Sequence, residues 1–148
     1  VPGTDLLLPR GGRIRASASY HRSEDVPDRV WGLYMDPYWA PTWPARMLPW
    51  ENMALPHDFD EAIDAIHESH DIIYAKGMVE VGCQGGIGRT GVVIACWAIL
   101  DGVEPSDAVA WVRGEYLVRA VETPLQEWWV DWFGARYLGL PEPTRPRR

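Results

Sequence analysis

A cysteine and an arginine six positions apart, Cys83 and Arg89, stand in the stretch VGCQGGIGRTG at residues 81–91, with Thr90 directly after the arginine. A thiol in a glycine loop that opens a helix meets backbone amides and the positive end of the helix dipole. Both stabilise the thiolate and make it nucleophilic near neutral pH. Arg89 offers a planar fork that matches two oxygens of a phosphoryl group. Between them, Gln84, Gly85, Gly86, Ile87 and Gly88 are mostly without side chains, so the amides of residues 84–89 can converge on the remaining oxygens. Thr90 can hydrogen-bond the sulfur and help it leave in a second step. Attack of a thiolate on a phosphate ester is the chemistry this set suits.

Two other phosphate-binding patterns fail on the same residues. A Walker loop needs lysine before Ser or Thr, and that place holds Arg89. Gly86, Gly88 and Gly91 match the dinucleotide fingerprint literally. That fold, however, requires a second strand ending in an acid about 20 residues on, whereas Asp101 and Glu104 lie in a turn that leads straight to a helix.

The elements that must position the loop follow from periodicity. Phe59, Ala62, Ile63, Ile66, His70 and Ile73 recur at helical spacing behind a capping Asp58, which predicts a helix over about residues 59–75. Gly77 ends it, and MVEVG reads as a short buried strand feeding the loop. VVIACWAIL, apolar on every side, predicts a helix inside the domain that stops at Asp101-Gly102. Pro105 starts another helix with Ala108, Trp111 and Val112 inward. Thr123, Pro124 and Gln126 then give cap, first turn and capping box for a last helix, whose inward stripe is Leu125, Trp128, Trp129, Trp132 and Phe133. In residues 1–58, RIRASASY, RVWGLYMD and ARMLPW read as short strands among proline-rich turns. Trp31, Trp39, Trp43 and Trp50 read equally as core or as the wall of a cleft.

The loop has the form C-x5-R-[ST]. With a strand before it and an apolar helix after it, CQGGIGRTG closely resembles the signature loop of the cysteine-dependent protein tyrosine and dual-specificity phosphatases. The resemblance extends over about residues 48–133, and the N-terminal third fits it only by size and order. It implies a single α/β domain, a mixed central sheet flanked by helices, over residues 1–140, with residues 141–148 a loose proline- and arginine-rich tail. WVRGEY followed by AVETPLQ resembles the family's stretch in which a glutamine or glutamate helps place the hydrolytic water. Glu122 either takes that place or is a solvated carboxylate, and both readings stay open. Gln126 reads as a helix cap.

Two positions depart from the family. Most members carry histidine just before the nucleophile, and here that residue is Gly82. Members also commonly supply a general acid from a mobile W-P-D loop, with a proline four places after the Asp. In WENMALP, Trp50 and Pro56 keep their places, and the acid's position falls on Asn52. An amide cannot protonate a leaving alkoxide, and a positioned acid is typically worth about 10²–10⁴ in rate. Glu51 and Asp58 are the shifted candidates, each with a plainer reading as surface carboxylate or helix cap.

The chain of 148 residues carries net charge −7, with its basic cluster confined to the terminal TRPRR, which argues against a nucleic-acid module. No apolar run approaches membrane-spanning length, and Cys83 and Cys96 do not suggest a disulfide, so a soluble protein with reduced thiols in the cytoplasm is expected. His57, His67 and His70 form no metal-ligand set, and neither metal nor cofactor is expected. The sequence therefore points to phosphomonoester hydrolysis of a phosphorylated protein or small phosphoester through a phosphocysteine. A pseudophosphatase that binds phosphorylated ligands, and a phosphatase of an inositol phosphate or RNA 5′ end, are the alternatives.

Overall fold

A computed structural model describes residues 2–36 and 39–147. Its strands are β1 (Thr4–Leu7), β2 (Arg13–Ser17), β3 (Trp31–Tyr34), β4 (Ala45–Met47) and β5 (Val79–Gly82), and its helices are α1 (Phe59–Ala75), α2 (Gly88–Leu100), α3 (Pro105–Glu115) and α4 (Pro124–Leu138). The sheet order is β1-β2-β5-β3-β4. β1 runs antiparallel to β2 and the other pairs are parallel. The mixed-sheet α/β domain expected from the resemblance is the fold found.

Strand β5 sits at the centre because it is the most completely buried, all four of its residues being inaccessible. Val79 and Val81 point to the helical side, where they join one core with α1 and α2. Helices α1 and α2 pack on the sheet, joined by the Trp97 indole nitrogen donating to the Ile66 carbonyl at 3.0 Å, and α3 and α4 pack on α2. Every residue of α2 is buried, as its unbroken apolarity predicts. The Asp58 carboxylate caps α1 by accepting from the Glu61 amide at 3.1 Å. Thr123 caps α4, which ends at Gly139 in the left-handed region, φ 69°.

His70, on the periodic stripe of α1, is buried: its Nε2 lies 2.7 Å from Asp101 Oδ1. The other oxygen of Asp101 accepts from the Tyr74 hydroxyl and from the Arg10 amide at 3.0 Å. This network closes the far end of α2. After α4, residues 140–147 have no regular structure, but Trp128 donates to the Pro143 carbonyl at 3.0 Å.

On the opposite face of the sheet, residues of the other parity build a layer of arginine and aromatic rings. Glu80, wholly buried, accepts from the Tyr34 hydroxyl and pairs with Arg29 at 3.2 Å and Arg15 at 3.3 Å. The Tyr34 ring lies over Gly32, and Trp43 donates to the Tyr34 oxygen at 2.8 Å. Register fixes what this layer supports. Ser17 and Tyr34 both pair with Gly82, so β2, β3 and β5 end level and their following segments leave from one edge of the sheet. In parallel sheets that edge is where ligands bind.

Candidate active site

Segment 83–87 leaves β5 at this edge and turns into α2. The N-cap of α2, Ile87, makes no side-chain capping bond, so the first amides of the helix have no partner within it. A cavity of about 300 Å³ opens over them. Its floor is Cys83, Gln84, Gly85, Ile87, Gly88 and Arg89, and Asn52 and Glu122 face it from two other segments.

Cys83 is 2 % exposed, and Thr90 Oγ1 donates to its sulfur at 3.1 Å. Arg89 is buried on the same helical turn. One end of its guanidinium is held: Nη1 donates to the Trp50 carbonyl at 2.6 Å and to the Met35 carbonyl at 3.2 Å. Its Nε is buried and has no hydrogen-bond partner among the described residues. A buried cation with one edge clamped and the other edge unpartnered is a costly arrangement unless an anion is meant to meet it. From the end of α3, the Tyr116 hydroxyl donates to the Gly86 carbonyl. Burial, then the charge of Cys83 and Tyr20, pushes that phenol up, so it stays a donor.

Glu122 approaches α2 so closely that its Oε1 occupies the space of a Cβ on Gly88, and a side chain there would push the Glu122 carboxylate aside. Its backbone amide donates to Gln126 Oε1 at 2.9 Å, while Gln126 Nε2 donates to the Ala54 carbonyl at 3.2 Å. Gln126 therefore serves the cap expected of it, its backbone N–H donating to Thr123 Oγ1 at 3.1 Å, and its side chain also ties the loop carrying Asn52 to the segment carrying Glu122. That second role had no sequence signal beyond the residue's polarity. Arg113 holds the approach to Glu122 by donating to the Ala120 and Val121 carbonyls at 2.9 and 2.7 Å. These bonds fix Val121 at φ 61°, and Met53, beside Asn52, has φ 65°. Such left-handed backbone is uncommon for branched or bulky residues, and here it flanks the cavity on both sides.

The remaining sequence candidates lie elsewhere. Trp50 is fully buried against Trp129, its indole nitrogen donating to the Ala54 carbonyl at 2.6 Å; it shapes the Asn52 loop from behind. Glu51 is exposed and bonds His57, which holds its carboxyl below the ordinary range. Asp58 is engaged as the α1 cap. Trp31 donates to Ser69 of α1, and Trp39 and Trp43 meet Tyr34 edge-on on the far face. None of these side chains lines the cavity among the described residues. Nor is there any cluster of His, Cys, Asp or Glu able to hold a metal ion among them.

The sequence profile of the protein-tyrosine phosphatases matches residues 27–121. The chain belongs to that family. Among relatives of this phosphatase-family chain, two uncharacterized proteins of Methanocaldococcus jannaschii are 35 % and 34 % identical, over 116 and 113 residues. These matches cover 70 % and 68 % of this chain, and 76 % and 68 % of the relatives. Tk-PTP in its G95A mutant form shares the fold with TM-score 0.74 at 16 % identity, covering 91 % of this chain and 97 % of that one. PTPMT1 in complex with PI(5)P superposes with TM-score 0.58 at 12 % identity, covering 75 % and 80 %.

Proposed function

We propose that this phosphatase-family domain hydrolyses phosphomonoesters in two steps through Cys83. The thiolate attacks phosphorus, an S–P bond forms, and the ester oxygen leaves with its electron pair. Water then attacks the phosphocysteine, and the sulfur departs as thiolate while Thr90 hydrogen-bonds it. Arg89 and the amides of residues 84–89 hold the phosphoryl oxygens, and Glu122 orients the water. Positioning and charge stabilisation of this kind supply most of the catalysis in phosphoryl transfer.

The observation that carries the reading is the unpartnered Nε of Arg89 in the cavity wall beside Cys83. With Asn52 at the family's acid position, and Glu122, the one carboxylate lining the cavity among the described residues, assigned to the water, the leaving group has no dedicated proton donor, which favours aryl phosphates such as phosphotyrosine over alkyl ones. The same feature supports the second reading, a domain that binds phosphorylated ligands with little turnover. An inositol phosphate or other non-protein ester has support only from the fold shared with PTPMT1. Among the described residues no helix is long and apolar enough to cross a membrane, and both cysteines are free, which suits the reduced, cytoplasmic setting we assign. Turnover of p-nitrophenyl phosphate tests the proposal. The wild type should release phosphate and Cys83→Ser should lose at least about 10³-fold, the scale expected when a nucleophile is removed. Retained phosphopeptide binding with no turnover in the wild type would establish the binder instead.

A further inference from the structure

Gly82 lacks the histidine that the family places before its nucleophile, yet the space for a side chain there is filled. A Cβ on Gly82 would come within 2.6 Å of Ser17 Oγ and 2.9 Å of Arg22 Nη2. Arg22 reaches this spot from the turn after β2. Its side chain is 2 % exposed, stacked on the rings of Tyr34 and Trp39 at 4.6 Å from each centroid. Asp36, just past β3, pairs with it, Nη2 to Oδ1 at 3.3 Å. Arg22 Nε and Ser17 Oγ are both buried without a hydrogen-bond partner among the described residues. The segment is also bonded to the loop, the Ser19 amide donating to the Gln84 carbonyl at 3.0 Å. A guanidinium desolvated this thoroughly is expensive. Its carboxylate partner and the two ring faces offset part of that cost, and none of them requires it to sit behind the residue preceding Cys83.

We propose that Arg22, seated with Ser17 against Gly82, is the positioning residue that takes over the missing histidine's place, bracing the loop and favouring the Cys83 thiolate, with Asp36 tempering its charge. This rests on the part of the proposed function that makes Cys83 the reactive thiolate of the site. The sulfur itself is faced by Thr90 and Arg89 from α2, by Tyr116 from the end of α3, and by Asn52 and Glu122 across the cavity. These are common to all the variants compared, so differences between variants report on Arg22 and Asp36.

The test is the pH dependence of iodoacetamide labelling of Cys83, resolved from Cys96 by peptide mass spectrometry. Arg22→Gln should move the labelling midpoint upward, the direction in which loss of a neighbouring cation moves a thiol. Asp36→Asn, which leaves the cation uncompensated, should move it downward, and Arg22→Lys should stay near the wild type. Opposite shifts from the two halves of one ion pair cannot come from general loosening of the loop. If Arg22→Gln does not fold, Asp36→Asn decides alone: a downward shift supports the assignment, and an unchanged or raised midpoint overturns it. Wild-type protein that is labelled at low pH but does not turn over aryl phosphate would sink the hydrolytic reading and leave this inference standing.

Discussion

Asn52 is the residue on which the chemistry turns, because it faces the same cavity as Cys83 and Arg89 but has no proton to give. Neither Glu51, drawn to His57, nor Asp58, drawn to the Glu61 amide, reaches that cavity. Asn52→Asp should therefore raise kcat by about tenfold or more, a modest share of what a positioned acid contributes. The gain should be concentrated in alkyl phosphates, whose leaving groups need a proton, and small for p-nitrophenyl phosphate, whose leaving group does not. Rates on a phosphoserine and a phosphotyrosine peptide would show this. Equal rates for the variant and wild type on both would mean that position 52 does not address the leaving oxygen. The loop, its arginine and the absent acid were all legible in the sequence, since each is a residue type at a fixed spacing. The partners of Gly82 were not, because a glycine gives no sign of what fills the space beside it, and Ser17 and Arg22 lie more than 50 residues upstream.

The long helices were legible almost to the residue, whereas the strands were only partly so. Helix α1 alternates buried and exposed positions at helical spacing behind a capping aspartate, and α4 begins with Thr-Pro and ends at Gly139. β1 has no such pattern: it pairs only with β2, on one side, and most of its residues are exposed. Helix packing also carries a pH dependence that the sequence concealed. His67 of α1 lies against Phe133 and Tyr137 of α4, 5.7 Å from each ring, and burial holds its imidazole below the usual value, although Asp71 and Asp64 pull the other way. An unfolded chain then binds this proton more readily than the folded one. Its contribution is an increasing loss of stability as pH falls below the ordinary histidine value of about 6.5. His67→Gln removes that pH dependence. The urea midpoint of the wild type should drop relative to the variant between pH 7 and pH 5, and a constant difference across that range would refute the assignment.

As a whole the domain buries its sheet in two unlike ways, under apolar helices on one face and under arginine and aromatic side chains on the other. Only the first was visible in the sequence, as periodic hydrophobicity. A glutamate in the middle of VEVG carries no sign of its partners, and only the fold brings Arg15, Arg29 and Tyr34 onto it from two other strands and a loop. With Glu80 wholly buried and the Arg29 side chain 3 % exposed, removing the carboxylate strands a cation in a dry layer. Glu80→Ala should cost about 3–5 kcal/mol, the range for breaking a buried pair from one side. Asp64→Ala, which removes a 74 % exposed partner of Arg46, should cost about 0–1 kcal/mol. Urea unfolding of the two variants measures the contrast. The layer's upper edge carries Tyr34 beneath Arg22, so Glu80→Ala should also shift Cys83 labelling toward that of Arg22→Gln if the sheet transmits its order to the loop. A cost as small as that of the surface pair would mean that the second face is merely covered, and that β5 is held at the centre of the sheet by its helical side alone.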